Sequence, residues 1–107
     1  MRYEIILAPA AVEAYKALRA NRRAVVRDAL ERHLRHEPTK VSRSRIKRLR
    51  GLLRPQYRLR IDDLRVFYDV TKKEVQVLAI VPKERAQAWL AKEGTPDEES
   101  SSGEGER

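Results

Sequence analysis

The sequence predicts an α+β domain of order β-α-α-β-β-β-α: a four-stranded antiparallel-rich sheet with an N-terminal helix hairpin packed on one face and a short C-terminal helix. Three observations carry that expectation. Residues 9–36 place apolar side chains at helical spacing, and later runs at 57–61, 64–70 and 75–81 alternate or stay apolar as strands do. A chain of 107 residues also suits one modest core better than two.

The first run, "RYEIIL" (2–7), sets Tyr3, Ile5 and Leu7 against Arg2, Glu4 and Ile6, the alternation of a strand. Pro9 follows where a first helical turn tolerates proline, because the missing N–H has no partner there. Val12, Tyr15 and Leu18 predict a helix over about 9–19, with a boundary at Asn21. A second helix over about 22–36 gathers Val25, Val26, Ala29, Leu30, His33 and Leu34 into one stripe, with charged residues over much of the rest. So short a break folds the two back as a hairpin. Pro38 stops the second helix, and "EPTKVSRSRIKRLRG" (37–51) reads as a solvated, arginine-rich approach to the sheet. Strands at 57–61 and 64–70 follow, then the turn "TKKE" and the run "VQVLAIV" (75–81). That run is apolar nearly throughout, as a central strand covered on both faces would be. Pro82 closes it, and "KERAQAWLAKEG" (83–94) is a short helix with Gly94 near its C-terminal end. From Thr95 the composition turns to Ser, Gly, Glu and Asp, which bury too little surface to offset ordering entropy. The expected limits are therefore 1–94 for the folded domain and 95–107 for an acidic disordered tail.

Charge narrows the function. The chain holds 24 Lys+Arg against 16 Asp+Glu, a net +8. Six of the acids lie from Glu93 onward with one base, so residues 1–92 carry 23 bases and 10 acids, a net +13. A body that basic repels itself unless it meets a polyanion, and nucleic acid is the favoured one. No apolar run approaches the roughly 20 residues that span a bilayer. The N-terminus, with Glu4 and Pro9, does not read as a secretory signal. Without cysteine there is neither a disulfide framework nor a thiolate site for zinc. A cytoplasmic protein with no membrane partner is the expectation.

The hairpin "YRLRIDDLRVFYDV" (57–70) concentrates the signal. A turn symmetric about Asp62 and Asp63 pairs Ile61 with Leu64, Leu59 with Val66 and Tyr57 with Tyr68, giving a continuous apolar face. The same register sets Arg60 beside Arg65 and Arg58 beside Phe67. Like charges directly across a strand pair are destabilising, so the arrangement points to an anionic ligand.

Four stretches, "KRLRG" (47–51), "YRLRI" (57–61), "RVFYDV" (65–70) and "VLAIVPKERAQAW" (77–89), occur in an order that resembles the RelE/ParE superfamily of toxins from toxin–antitoxin systems. The resemblance spans about residues 2–92. In its RelE branch it implies a small endoribonuclease that enters the ribosomal A site and cuts the codon displayed there, restrained by a wrapping antitoxin. It implies a catalytic set of Arg58, Arg60, Arg65 and Lys83, with Lys83 standing where the family pattern has arginine. Arg85 matches a further basic position, and Trp89 falls where the pattern has tyrosine. Lys47, Arg48, Arg50, Phe67, Arg85 and Trp89 are the expected RNA-binding residues. The expected partners are an acidic, partly disordered antitoxin, the ribosome and mRNA. Alternatives within the resemblance are a ParE-like inhibitor of DNA gyrase without nuclease activity, or a catalytically degraded relative that only binds its antitoxin.

The residue types allow that chemistry. Attack of an RNA 2′-OH on the adjacent phosphate needs stabilised phosphorane charge and proton transfer at two oxygens. Arg58, Arg60 and Arg65 suit the first through charge-assisted, often bidentate contacts. Guanidinium is a poor proton shuttle, so Lys83, a lysine among arginines, is the better acid or base candidate. Phe67 and Trp89 interleave with the basic face as platforms for exposed bases. Indole has no acidic hydroxyl, so Trp89 exchanges no proton. Asp62 and Asp63 make a turn rather than a metal site, His33 and His36 lie on the second helix away from this face, and no cofactor is expected.

Overall fold

The computed structural model describes residues 1–97, and its elements run β1 (Glu4–Leu7), α1 (Pro9–Ala17), α2 (Ala20–Leu34), β2 (Ile46–Arg48), β3 (Leu52–Arg54), β4 (Tyr57–Ile61), β5 (Leu64–Val70), β6 (Glu74–Pro82), α3 (Lys83–Glu93) and β7 (Thr95–Pro96). The α+β class holds, but the main sheet has five strands rather than four. Its order is β1-β6-β5-β4-β2, with β1 parallel to β6 and the other pairs antiparallel, while β3 and β7 form a separate two-stranded ribbon.

The added strand is β2, inside the stretch expected to be a solvated loop. Ile46 explains it: the side chain is buried opposite Leu59 and anchors three residues of an otherwise charged run to the sheet edge. Single apolar residues in basic segments give little periodicity to read, so the strand is visible only through its partner.

The helix hairpin packs as expected. Ala11 from α1, Val26, Leu30 and Leu34 from α2, and Leu59, Val66, Tyr68, Val75, Val77 and Ile80 from the sheet form one buried cluster. The i, i+4 spacing of Val26, Leu30 and Leu34 aims one ridge of α2 at the sheet, while Val25 is left exposed. The break between helices falls at Leu18 and Arg19, both extended, rather than at Asn21, which lies inside α2. Leu18 packs against the core, and its carbonyl accepts a hydrogen bond from the Arg23 guanidinium, which fixes the chain reversal there.

Strand β6 lies between β1 and β5, with α1 and α3 both packed against it, consistent with its apolar run. The centre of the sheet is its neighbour β5. Tyr68 on β5 is fully buried, stacks on Tyr57 with centroids 5.5 Å apart, and donates its hydroxyl to the Pro38 carbonyl at 2.6 Å. That bond ties the loop after α2 to the sheet.

Of the stretch expected to be a tail, Thr95 and Pro96 pair with Arg54 and Leu52, so ordered chain continues past residue 94. Residues 98–107 lie outside the described residues. Among the described residues, no helix is long and apolar enough to cross a membrane.

Candidate functional site

The β4–β5 register is the one the sequence predicts: Ile61 faces Leu64, Leu59 faces Val66 and Tyr57 faces Tyr68, while Arg60 faces Arg65 and Arg58 faces Phe67. A two-residue turn makes this possible, with Asp62 in the left-handed region at φ 52°, a conformation that aspartate tolerates better than most residues. The ladder continues to β2, where Lys47 lies opposite Arg58. Residues directly opposed in a ladder share a face. Lys47, Arg58, Arg60 and Arg65 therefore stand on the side of the sheet away from the helix hairpin, in two adjoining rows.

Helix α3 covers the remainder of that side. Trp89 lies flat on Phe67, with centroids 4.9 Å apart and planes 2° from parallel. Phe67 has no exposed surface, so it is not the RNA platform its sequence position predicts. Its role is to anchor α3, and Trp89 takes the packing role while staying partly exposed.

The arginines left beside α3 are poorly compensated. Among the described residues, none of Lys47, Arg58, Arg60, Arg65 and Lys83 forms an ion pair. Arg58 is half-buried, and its Nε is buried without a hydrogen-bond partner. Burial first, and then the positive charges of Arg65 and Arg60, lower its pKa below the usual arginine range. Arg65 is steadied by its turn, donating from Nη1 to the carbonyls of Asp62 and Leu64 at 3.0 Å each. The Asp63 carboxylate on the turn is bound by Arg22 of α2 at 2.7 Å. Lys83 begins α3 and is exposed, and its backbone N–H donates to the Asp63 carbonyl at 2.8 Å, which fixes the start of the helix beside the hairpin turn. Arg85 is exposed two residues further along α3.

A cleft of about 340 Å³ is lined by Ala10, Arg54, Leu78, Trp89, Glu93 and Thr95 and by none of the cluster residues, while a cleft of about 530 Å³ that includes Lys47 lies between the β2–β3 turn and α3. Lys47, Arg48 and Arg50 form one wall of the larger cleft and Gln87, Leu90 and Ala91 the other. Arg48 belongs to the opposite face by register, opposed to Tyr57. Its guanidinium sits 5.1 Å from the Tyr57 ring centroid and donates to the Gln56 carbonyl at 3.0 Å, so it touches the cleft only at the sheet edge. The structure thus brings together Arg58, Arg60, Arg65 and Lys47, sets Lys83 at the adjoining helix start, and withdraws Phe67.

Two features escape the sequence reading. Gln87, Leu90 and Ala91 give the cleft a wall of mixed chemistry, which no local pattern marks. Asp69, nearly buried on β5, accepts from Arg54 Nε at 2.7 Å and from the Gln56 N–H at 2.8 Å, which holds the entry to β4 in place. A lone acid in a strand whose only other charged residue is Arg65 was the signal that could have found it. Among the described residues, no group of three His, Cys, Asp or Glu is placed to hold a metal ion.

No family model and no curated protein matches the chain. Solved structures do. The archaeal RelE–RelB complex from Pyrococcus horikoshii OT3 matches with a TM-score of 0.60 and 27% identity, covering 79% of this chain and 99% of that one. The YoeB dimer from Staphylococcus aureus matches with a TM-score of 0.56 and 20% identity, covering 76% and 97%, a likeness of fold alone. The fold, with its helix hairpin on one face of the sheet, and nearly full coverage of the RelE chain agree with the four sequence stretches that carry the resemblance, and this likeness supports the RelE/ParE-like toxin superfamily.

Proposed function

We propose that the protein is the toxin of a type II toxin–antitoxin pair and a ribosome-dependent mRNA endoribonuclease acting in the cytoplasm. The observation that carries this reading is the uncompensated arginine cluster, above all the buried, unpartnered Nε of Arg58. A fold keeps a desolvated cation next to like charges at a cost, and a bound phosphate relieves that cost. In the proposed reaction the 2′-oxygen of one nucleotide forms a bond to the adjacent phosphorus as the bond to the 5′-oxygen breaks, leaving a 2′,3′-cyclic phosphate and a 5′-hydroxyl. Arg58, Arg60 and Arg65 hold the charge that develops on the phosphoryl oxygens. Lys83 is the side chain assigned to proton transfer. Lys47 and Arg50 line the path of the strand, and the face of Trp89 not covered by Phe67 is available to a base.

The RelE of the Pyrococcus horikoshii structure is in complex with RelB. A comparable antitoxin, acidic and partly disordered until bound, suits the +13 body. The groove formed by Ile5, Leu7, Tyr15 and Leu30, rimmed by Arg27 and by Arg35 in its ion pair with Glu31, offers an amphipathic segment apolar contacts and the basic contact of Arg27.

Trp89 favours a second reading. A ring stacked on Phe67 where the family pattern has tyrosine removes a proton donor and supports an antitoxin-binding relative without nuclease activity, or a ParE-like gyrase inhibitor. Toeprinting of mRNA on ribosomes with purified protein decides between them. Cuts within the A-site codon, abolished in Arg58→Gln, are expected. Intact mRNA alongside arrested growth and inhibited gyrase replaces the nuclease reading with the ParE-like one.

A further inference from the structure

The chain has two histidines, and both line one pocket of about 300 Å³ at the C-terminal end of α2, away from the arginine face. Arg32, Lys40, Ser42, Arg45 and Ile46 line it with them, together with one carboxylate, Glu37. The Ser42 hydroxyl oxygen accepts from the N–H groups of Arg45 and Ile46 at 3.0 and 3.2 Å, which shapes the loop and leaves the hydroxyl proton to donate outward. Arg45 is exposed and, among the described residues, in no ion pair. The acids nearby are Asp28, 3.3 Å from Arg32, and Glu37, 3.7 Å from Lys40. Both pairs are exposed and worth little, so a multiply bonding anion can compete for their cations. A helix C-terminus disfavours anions, but here the Arg35 carbonyl accepts from Tyr3 N–H at 2.7 Å and the Glu37 carbonyl from Lys40 N–H at 3.2 Å.

The pocket is joined to the arginine face through one residue. Arg60 donates its backbone N–H to the Arg45 carbonyl at 2.9 Å, so Arg45 continues the ladder beside Arg60 while its side chain turns to His33's side of the sheet edge. We propose that this pocket binds a backbone phosphate of an RNA strand that runs from the arginine face around the β2 edge. The inference rests on RNA being the ligand of that face, and it adds a positioning site remote from the reacting phosphate. Phosphate contacts of this kind fix register without reading sequence.

Protonation gives a signature. Burial first, then Arg45 and Arg32, lower the His33 pKa below its ordinary value, against a smaller opposing effect of Asp28. Glu37 and Lys40 complete the charged surroundings, and the His36 ring lines the same pocket. A phosphate seated there offsets the positive neighbours of His33, so binding takes up a proton and weakens as pH rises through the range where that ring titrates.

Because no other histidine exists, ring signals in ¹H–¹³C spectra of the full chain report this pocket alone. The probes are inorganic phosphate and a 2′-O-methylated RNA 12-mer that resists cleavage. Both are expected to shift the two histidine signals saturably. Lys40→Gln with Arg45→Gln, both exposed positions, should abolish the shifts and weaken RNA binding several-fold by anisotropy. The salt slope of that binding should fall by about 0.7 for each phosphate-neutralising cation removed. RNA that binds while the histidines stay still overturns the pocket and leaves the nuclease reading intact. Histidines that answer phosphate but not RNA also overturn it. Histidines that answer RNA, with ribosomal mRNA left uncut, uphold the pocket and remove the nuclease.

Discussion

Replacing Arg58 with methionine should raise stability and remove activity in the same protein. The buried Nε has no partner, and an unsatisfied buried polar group costs about 1–3 kcal/mol. Repulsion from Arg60 and Arg65 adds an expected few tenths to about 1 kcal/mol. Methionine keeps most of the aliphatic stem against Phe67, the cross-strand neighbour. Part of the gain disappears wherever the guanidinium tip is still hydrated, because Arg58 is only half-buried. A net stabilisation of about 1–2 kcal/mol remains, or roughly 5 °C or more in Tm for a domain of this size.

Calorimetry at two salt concentrations tests both contributions. The Coulomb part should fade between about 0.05 and 0.5 M salt as screening shortens, and the burial part should persist. Cleavage should fall by about 10² to 10³, the typical loss for one charge-stabilising donor. A Tm lower by several degrees would mean that Arg58 holds the sheet together, and the argument from its missing partner fails. An unchanged cleavage rate would move the site elsewhere.

Arg60 and Arg65 should differ although they face each other. Arg60→Gln is expected to leave Tm level or slightly higher, while Arg65→Gln removes two hydrogen bonds to carbonyls at the turn and should cost about 1 kcal/mol in chemical denaturation. Asp69→Ala strips the acceptor from Arg54 and the Gln56 N–H and should destabilise by about 2–3 kcal/mol, with faster amide exchange at Gln56 as the local readout. Tyr68→Phe leaves the Pro38 carbonyl without its donor and should cost about 1–2 kcal/mol, measured by urea titration. His33 has a folded pKa below its unfolded value, so the unfolded chain binds its proton first. Its stabilising effect is complete above about pH 6.5 and is lost as pH falls toward the lower folded value, and His33→Gln should flatten that part of the stability profile.

The sheet's register was legible because both halves of the 57–70 hairpin alternate around a central turn, and a one-residue slip would bury arginines. The arginine cluster came with it, since strand parity alone assigns the face. Lys47 joined that face only through β2, which the sequence hides: its pairing rests on Ile46, a single apolar residue in a basic run. The burial of Phe67 was hidden for a different reason. Parity sets it among arginines, but whether a helix lies over that part of the face depends on how the chain returns after Pro82, a tertiary fact. Trp89 at the middle of a weakly apolar helix leaves stacking on RNA and stacking on protein equally open until the partner ring is seen.

The charge pattern argues for a ligand more strongly than net charge does. The acids are not scarce near the hairpin: Asp62 and Asp63 form its turn, and Asp69 lies on β5 two residues beyond Phe67. The carboxylates of Asp63 and Asp69 are directed elsewhere. Arg22 draws the Asp63 carboxylate toward α2, Arg54 and the Gln56 N–H occupy Asp69, and Asp62 gives Arg65 its backbone carbonyl. A fold under pressure only for stability would turn at least one of these carboxylates toward Arg58, whose guanidinium has a buried, unpartnered Nε and lies near the charges of Arg65 and Arg60. Solubility does not account for it either, because half-buried charge adds little to hydration. What the arrangement does provide is a positive potential that, among the described residues, is held in no ion pair, so that a phosphate binding there would have no ion pair to break. The charge cluster and its missing counter-ions are thus one device, and it is set against α3, where Trp89 and Lys83 stand ready at its margin.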